Sequence, residues 1–561
     1  MSVARSQRPV LATAALLLCS LLCCAGLTAC STKPQPPAAV APVSAALRSG
    51  IYPNLFARLG HSEADTTAKI EQAFMQLFHG DPASQALYFA DGQNSHGAKA
   101  YILDVNNNDV RSEGMSYGMM VAVQLNKKAE FDALWNWAYS QMYHADPTHP
   151  AYGYFAWSVS TQGVANDEMP APDGEEYFAT ALYFAAMRWG DGAGIYQYKA
   201  KADALLTQMR HRQIIKRTTP RGEQAATALF HPDHAMVRFT PDLQHADHTD
   251  ASYHLPAFYE VWARLGPAED RVFWQQAASA SRAYFSKAAH PETGLTPEYG
   301  NFDGTPWAAP WRPDSVDFRF DAWRSAMNWS VDWHWWRANP QVVALSTRLQ
   351  NFFSSEGIGS YGSQYSLDGR NLDKPVEIAG HPSEPCNQDT HRREIAGHPS
   401  EPSNQDTHRR EIAGHPSEPS NQAPHQAPDH PLAAAKPGHP SLEKSVEIAG
   451  HPSEPSGEIA GHPSEPSNQD THRTPDHPLA GPTAGLVAMN AVASLASNHP
   501  ASNQFVQALW QQPIPTGRYR YYDGMLYLLG LLHVSGEFKA WLTPDGTAPQ
   551  VAADVLPNKP Q

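Results

Sequence analysis

Two carboxylate segments and one acidic turn hold the side chains of this sequence best placed for proton chemistry. Glu113 lies in Asn108-Asp109-Val110-Arg111-Ser112-Glu113-Gly114-Met115-Ser116-Tyr117-Gly118-Met119-Met120, where a polar turn runs into an apolar segment. Helical spacing continues through Phe131, Leu134, Trp135 and Ala138, which puts Glu113 at the mouth of a helix. A carboxyl in such apolar surroundings can act as a proton donor; a first-turn glutamate that simply favours the helix dipole has the same pattern. Gly114 and Gly118 leave room there for a substrate or a neighbouring helix. Asp321 opens Asp321-Ala322-Trp323-Arg324, so it can cap a helix, and Arg324 one turn on can pair with it and keep it ionised. Asp173-Gly174-Glu175-Glu176 has the spacing of a capping box.

One cluster offers a different chemistry. His245-Ala246-Asp247-His248-Thr249-Asp250 alternates imidazoles and carboxylates, as a zinc or harder-ion site would. No second group at a matching spacing completes it, so no metal and no cofactor are expected.

These side chains need helices to hold them. Apolar residues recur with helical period over Thr66 to Phe78, Glu175 to Trp189, Leu255 to Leu265, Val272 to Ala288, Ala322 to Trp336, Gln341 to Phe353, Leu486 to Ala496 and Met525 to Leu532. Strand patterns are scarce: a short pair is expected near His234 to Phe239 and Tyr519 to Tyr522. A mostly α architecture follows.

The motifs occur as an ordered set. The segment 112–138, SEGMSYGMMVAVQLNKKAEFDALWNWA, is followed by Ala171 to Leu182, by Thr249-Asp250-Ala251-Ser252-Tyr253-His254, by Phe318 to Arg324, and by Gly485 to Asn490 and Tyr521-Tyr522-Asp523-Gly524. This order resembles glycoside hydrolase family 8, and within it the xylan-directed oligoxylanases that release xylose from the reducing end. The resemblance covers roughly residues 48 to 375 and 482 to 543. It implies an (α/α)6 barrel with a cleft at one end, where helix N-termini gather. It implies Glu113 as general acid, Asp321 as general base and Asp173 as the residue that holds the sugar and helps Glu113 keep its proton. Inverting cleavage needs the acid and base about 6.5–9.5 Å apart, with room for a water. Tyr253 matches a tyrosine beside that water, with Arg324 in support. Flat aromatic faces suit sugar rings, and Trp157, Tyr521 and Tyr522 are the candidates. Phe320 is apolar where some relatives have tyrosine. The implied reaction is hydrolysis of β-1,4-linked xylo-oligosaccharides; an endo-acting xylanase or endoglucanase, or a non-catalytic carbohydrate-binding lipoprotein, remain as alternatives.

The rest of the chain concerns delivery. Arg5 and Arg8 precede an apolar run, Leu11 to Leu27, that closes on Leu27-Thr28-Ala29-Cys30. Residues 1–30 therefore read as a lipoprotein signal with Cys30 lipidated. An exported protein anchored in the outer membrane and facing the periplasm is expected, with 31–47 as a Pro/Ala-rich tether. Four of the five cysteines fall in that signal and the fifth is Cys386, so the body holds no disulfide framework. The barrel is expected over 48–375 and 481–543, with a flexible tail over 544–561. Between its two parts, residues 376–480 repeat Glu-Ile-Ala-Gly-His-Pro-Ser-Glu-Pro from Glu377, Glu394 and Glu411, and again from Glu447 and Glu458. With one isoleucine per repeat, such a segment buries too little apolar surface to offset its ordering entropy, and a disordered insertion is expected. The formal charge of −15 argues against nucleic acid. A monomer is expected.

Overall fold

The computed structural model describes residues 41–219, 222–373 and 482–543. The signal, Cys30, the whole of the 376–480 repeat insertion and the 544–561 tail lie outside the described residues. The tether ends earlier than its composition implied. Ala45–Ser49 is a helix capped by Ser44, and Leu47 is buried within the fold.

Among the described residues, twelve helices have ten or more residues. They are α1 (Glu63–His79), α2 (Ser112–Gln124), α3 (Lys128–Gln141), α4 (Pro172–Trp189), α5 (Tyr198–His211) and α6 (Pro256–Leu265). Then follow α7 (Arg271–Ala288), α8 (Trp323–Trp336), α9 (Gln341–Glu356), α10 (Ala484–Ala493), α11 (Ser502–Gln511) and α12 (Arg520–Ser535). The even-numbered helices pack α2 on α4, α4 on α6, α6 on α8, α8 on α10, α10 on α12 and α12 back on α2. Each odd-numbered helix lies outside, against a neighbour in that ring. This is the mostly α, (α/α)6 arrangement.

Sequence accounts for the two layers. Every residue of α2 and α10 is buried, and these helices are apolar or small-residue-rich on all sides, as a helix enclosed by others must be. The outer α1 instead buries one stripe, Thr66, Ile70, Ala73, Phe74, Leu77 and Phe78. It begins with a complete capping box between Ser62 and Asp65. α12 stops at Gly536, whose φ of 81° is the left-handed conformation that glycine adopts without cost.

Three local expectations are corrected. The helical pattern from Met119 to Ala138 is two helices: the chain turns between Gln124 and Lys128 through Asn126, at φ 62°. Tyr521 and Tyr522 belong to the first turn of α12, not to a strand. Only Met236–Val237 of the expected pair is a strand, and it pairs with Phe230–His231. Two hairpins were not foreseen, β1 (Tyr88–Asn94) with β2 (Gly97–Ile102), and Ile215–Thr219 with Gly222–Ala226. Among the described residues no helix is long and apolar enough to cross a membrane.

Candidate active site

The inner helices deliver their N-terminal ends to one place. Glu113 is the second residue of α2, Asp173 the second of α4, and Arg324 the second of α8. Tyr521 is the second residue of α12. Asp321 sits in a 3-10 turn, Phe320–Ala322, that feeds directly into α8, and Tyr253 ends another, Ala251–Tyr253, just before α6. Glu113, Trp157, Asp173, Tyr253, Asp321 and Arg324 line a single cleft, with Arg111, Ser112 and Ala171.

Glycine lets these ends crowd together. A Cβ on Gly174 would stand 2.5 Å from the Ser112 hydroxyl, so α4 touches the start of α2 only because residue 174 has none. A Cβ on Gly114 would stand 2.7 Å from the Tyr521 ring. The small residues beside Glu113 thus admit neighbouring helices, one of the two uses expected for them.

Arg324 is the electrostatic centre. Its Nη1 donates to Glu113 Oε2 at 2.9 Å and to Asp173 Oδ2 at 2.7 Å, and its Nη2 donates to Asp321 Oδ1 at 2.9 Å. The pairing with Asp321 was expected; the contacts to Glu113 and Asp173 were not. Because Glu113 and Asp321 bind different arms of one planar guanidinium, their bonded oxygens are at most about 8 Å apart. A bound of this size admits an inverting pair, at about 6.5–9.5 Å, and a retaining pair, at about 5–5.5 Å, alike. Burial opposes the charge of Arg324, but Tyr117, Tyr522, Asp321 and Asp173 around it outweigh burial and hold it firmly protonated. Tyr117, four residues after Glu113 on the same face of α2, also accepts from Nη1.

Burial pushes the Glu113 carboxyl up to about 8, Arg324 opposes it, and Asp173 and Asp321 add to the rise. The positive end of α2 favours ionisation by at most about 2 kcal/mol. The rise from 4.5 to about 8 corresponds to roughly 5 kcal/mol, so burial decides the outcome. Asp173 does support protonation of Glu113, as expected, but as the smaller contribution. Arg324 occupies Oε2, so the transferable proton resides on Oε1, which also accepts from the Tyr521 hydroxyl at 3.0 Å. Burial raises Asp173 as well, against the pull of Arg324.

The local readings of these acids give way to the tertiary ones. Ala322, not Asp321, stands at the N-cap position of α8. Asp173 and Glu176 form no capping box: Glu176 instead accepts from Tyr259 at 2.6 Å.

The aromatic candidates separate. Trp157 lines the cleft, with the Arg111 guanidinium 5.4 Å from its ring centre, and its carbonyl accepts from the Ser112 backbone at the start of α2. Arg111, a contributor the sequence reading missed, is itself fixed by Asp104 and Asp109. Tyr521 and Tyr522 are buried, as Trp157 is, and do not stand among the residues that line this cleft. Tyr521 holds Glu113, and Tyr522 donates to the Phe320 carbonyl at 3.0 Å, buttressing the turn that carries Asp321.

The His245–Asp250 cluster scatters. His245 turns to Asp242, His248 stacks on Trp307 with ring centres 3.7 Å apart, Asp247 faces solvent, and Asp250 bonds Ser252. Among the described residues, no three such side chains gather as an ion site.

Known proteins share this arrangement of sequence and fold. The family model for glycosyl hydrolases family 8 matches residues 102–359. A reducing-end xylose-releasing exo-oligoxylanase of Paenibacillus barcinonensis is 35% identical over 494 residues, 88% of this chain and 97% of that protein. Its counterpart from Halalkalibacterium halodurans is 34% identical, over 88% of this chain and 95% of that protein. A catalytic mutant of a family 8 xylanase from Teredinibacter turnerae, solved with xylohexaose, superposes with a TM-score of 0.68 and 48% identity, over 88% of this chain and 99% of that one. With two relatives above 30% identity that it spans almost end to end, the chain belongs to glycosyl hydrolases family 8.

Proposed function

We propose that this protein hydrolyses β-1,4-xylosidic bonds of xylo-oligosaccharides with inversion, releasing xylose from the reducing end. The observation that carries acid–base hydrolysis is the shared guanidinium, with Arg324 holding a protonated Glu113 and Asp321 on separate arms, and inversion is supported by the family 8 match. Glu113 Oε1 gives its proton to the departing glycosidic oxygen. Asp321 takes a proton from a water that attacks the anomeric carbon from the opposite face, so a β-linkage yields an α-anomer. Asp173 shares Nη1 of Arg324 with Glu113 and meets sugar hydroxyls in this reading, and Trp157 supplies an aromatic wall. The two exo-oligoxylanase relatives support the sugar and the chain end. Xylohexaose and its reduced alditol, incubated side by side, test this reading: only the unreduced sugar is expected to lose xylose.

A second reading, an endo-acting xylanase, is kept because one similar protein is a xylanase whose name carries no exo action. The Teredinibacter turnerae xylanase is more similar in sequence, at 48%, than either exo-acting relative. Internal cleavage of both substrates would select it.

We also propose that the protein is a monomer exported as a lipoprotein, anchored through Cys30 in the outer membrane. The Leu27-Thr28-Ala29-Cys30 sequence after an apolar run supports this. Cys30→Ala is expected to abolish incorporation of labelled fatty acid and to release activity from the membrane fraction; undiminished labelling would refute it.

A further inference from the structure

Asp250 ends the acidic and histidine-rich stretch from His245, and it is fully buried. Its Oδ1 accepts both the Ser252 backbone N–H, at 2.6 Å, and the Ser252 hydroxyl, at 2.7 Å. A serine hydroxyl has a single proton. With that proton given to Asp250, only lone pairs remain to face Arg324, and Ser252 Oγ accepts from Nη2 at 2.9 Å. Nη2 carries two hydrogens, and the other goes to Asp321 Oδ1 at 2.9 Å. The chain Asp250–Ser252–Arg324–Asp321 therefore fixes the rotation of the guanidinium and, through it, the base.

The same cap sets Tyr253. Asp250 starts the Ala251–Tyr253 turn that places Tyr253 in the cleft. Asn328 holds the Ser252 carbonyl at 2.7 Å and Tyr259 holds the Tyr253 carbonyl at 3.1 Å, so the turn is pinned along its length.

We propose that Asp250 and Ser252 are positioning residues for the hydrolysis: by hydrogen bonding alone they orient Arg324 against Asp321 and hold Tyr253, without touching sugar. The device needs an acceptor at Oδ1 rather than a charge. Burial, with Asp321 nearby, drives Asp250 well above the usual carboxylate range, which agrees with that requirement. Asn at 250 retains the acceptor, whereas Ala removes it.

The proposal rests on the assignment of Asp321 as base. The acids and the cation that act on Asp321 are Glu113, Asp173, Asp250, Glu298 and Arg324, and the tyrosines are Tyr253, Tyr299 and Tyr522. When Ser252 no longer anchors Nη2, Arg324 stabilises ionised Asp321 less, and Asp321 titrates at higher pH.

The test uses the full chain with Ser252→Ala, Asp250→Asn and Asp250→Ala, assayed on xylohexaose across pH. Ser252→Ala is expected to lower kcat about tenfold or more with KM within about threefold, and to move the acid limb of kcat upward. Asp250→Asn is expected to stay within about threefold of the parent, while Asp250→Ala falls at least as far as Ser252→Ala. Carbon-13 NMR of the Asp321 carboxyl reads the same displacement without turnover, so failure of this proposal and failure of the hydrolase reading are separable. Parent kcat and an unmoved Asp321 titration in Ser252→Ala would overturn it, as would Asp250→Asn behaving like Asp250→Ala. If Asp250→Ala does not fold, Ser252→Ala and Asp250→Asn decide between the outcomes.

Discussion

Glu113 and Arg324 stand 211 positions apart in the chain and meet at 2.9 Å, inside a protein interior where neither is more than slightly exposed. The pair joins the N-terminal ends of α2 and α8, so the ring of inner helices and the acid–base machinery depend on one another. A buried charge of this kind is costly unless it is paired. Arg324 Nη1 and Nη2 meet three carboxylates between them.

Replacing the acid should remove turnover and leave binding. Glu113→Gln is expected to lower kcat by roughly 10²–10⁴, with xylohexaose affinity by calorimetry close to that of the parent. In the parent, Glu113 must be protonated to act, so activity should fall on the alkaline side as pH passes about 8. A profile that stays flat through pH 9 would remove Glu113 from the role of acid.

Arg324→Lys preserves the charge and loses the fork. One ammonium cannot reach two arms at fixed spacing, so kcat should drop on the order of 10²–10³, the scale of losing a preorganised electrostatic group. Arg324 lowers the Glu113 titration point in the parent. Weakening that contact should shift the alkaline limb upward, measurable in the pH profile of the residual activity.

Much of this was legible in the sequence, for identifiable reasons. Helical periodicity pointed to the mostly α class, while the (α/α)6 arrangement and the roles of the three acids came from the resemblance that the ordered motifs carry. Local spacing could not reveal that Arg324 joins all three acids, because Glu113 and Asp173 are 211 and 151 positions away. Tyr117 was visible in principle, four residues after Glu113 on one helical face. Tyr521 and Tyr522 misled once: as aromatic residues they suggested a strand, whereas they open α12 with their hydroxyls on tertiary partners. The end of α2 was encoded by Asn126, one of the few residue types that accepts a left-handed backbone readily.

The two aromatic roles should separate kinetically. Trp157→Ala removes a cleft wall and is expected to raise KM by about tenfold or more. Tyr521→Phe removes a donor to Glu113 Oε1. Since donation favours the ionised carboxyl, its loss should raise the alkaline limb and change kcat with little effect on KM. An increase in KM alone for Tyr521→Phe would restore it as a sugar contact.

Stability should carry the same signature as activity. The fold raises Glu113 from 4.5 to about 8, so it favours the protonated form. The resulting stability is complete below about 4.5 and is lost as pH rises through about 8. Glu113→Gln abolishes that dependence and should melt higher than the parent at pH 9, with a smaller difference at pH 5. Equal differences at the two pH values would show that Glu113 is not held neutral.

The most direct test of the Glu113–Asp321 assignment is the anomer first formed from xylohexaose, followed by proton NMR before mutarotation. Inversion predicts the α-anomer at the newly created reducing end, with xylose released and the reduced alditol left intact. A β-anomer formed first would mean net retention, and would contradict a mechanism in which Glu113 protonates one face while Asp321 drives water onto the other.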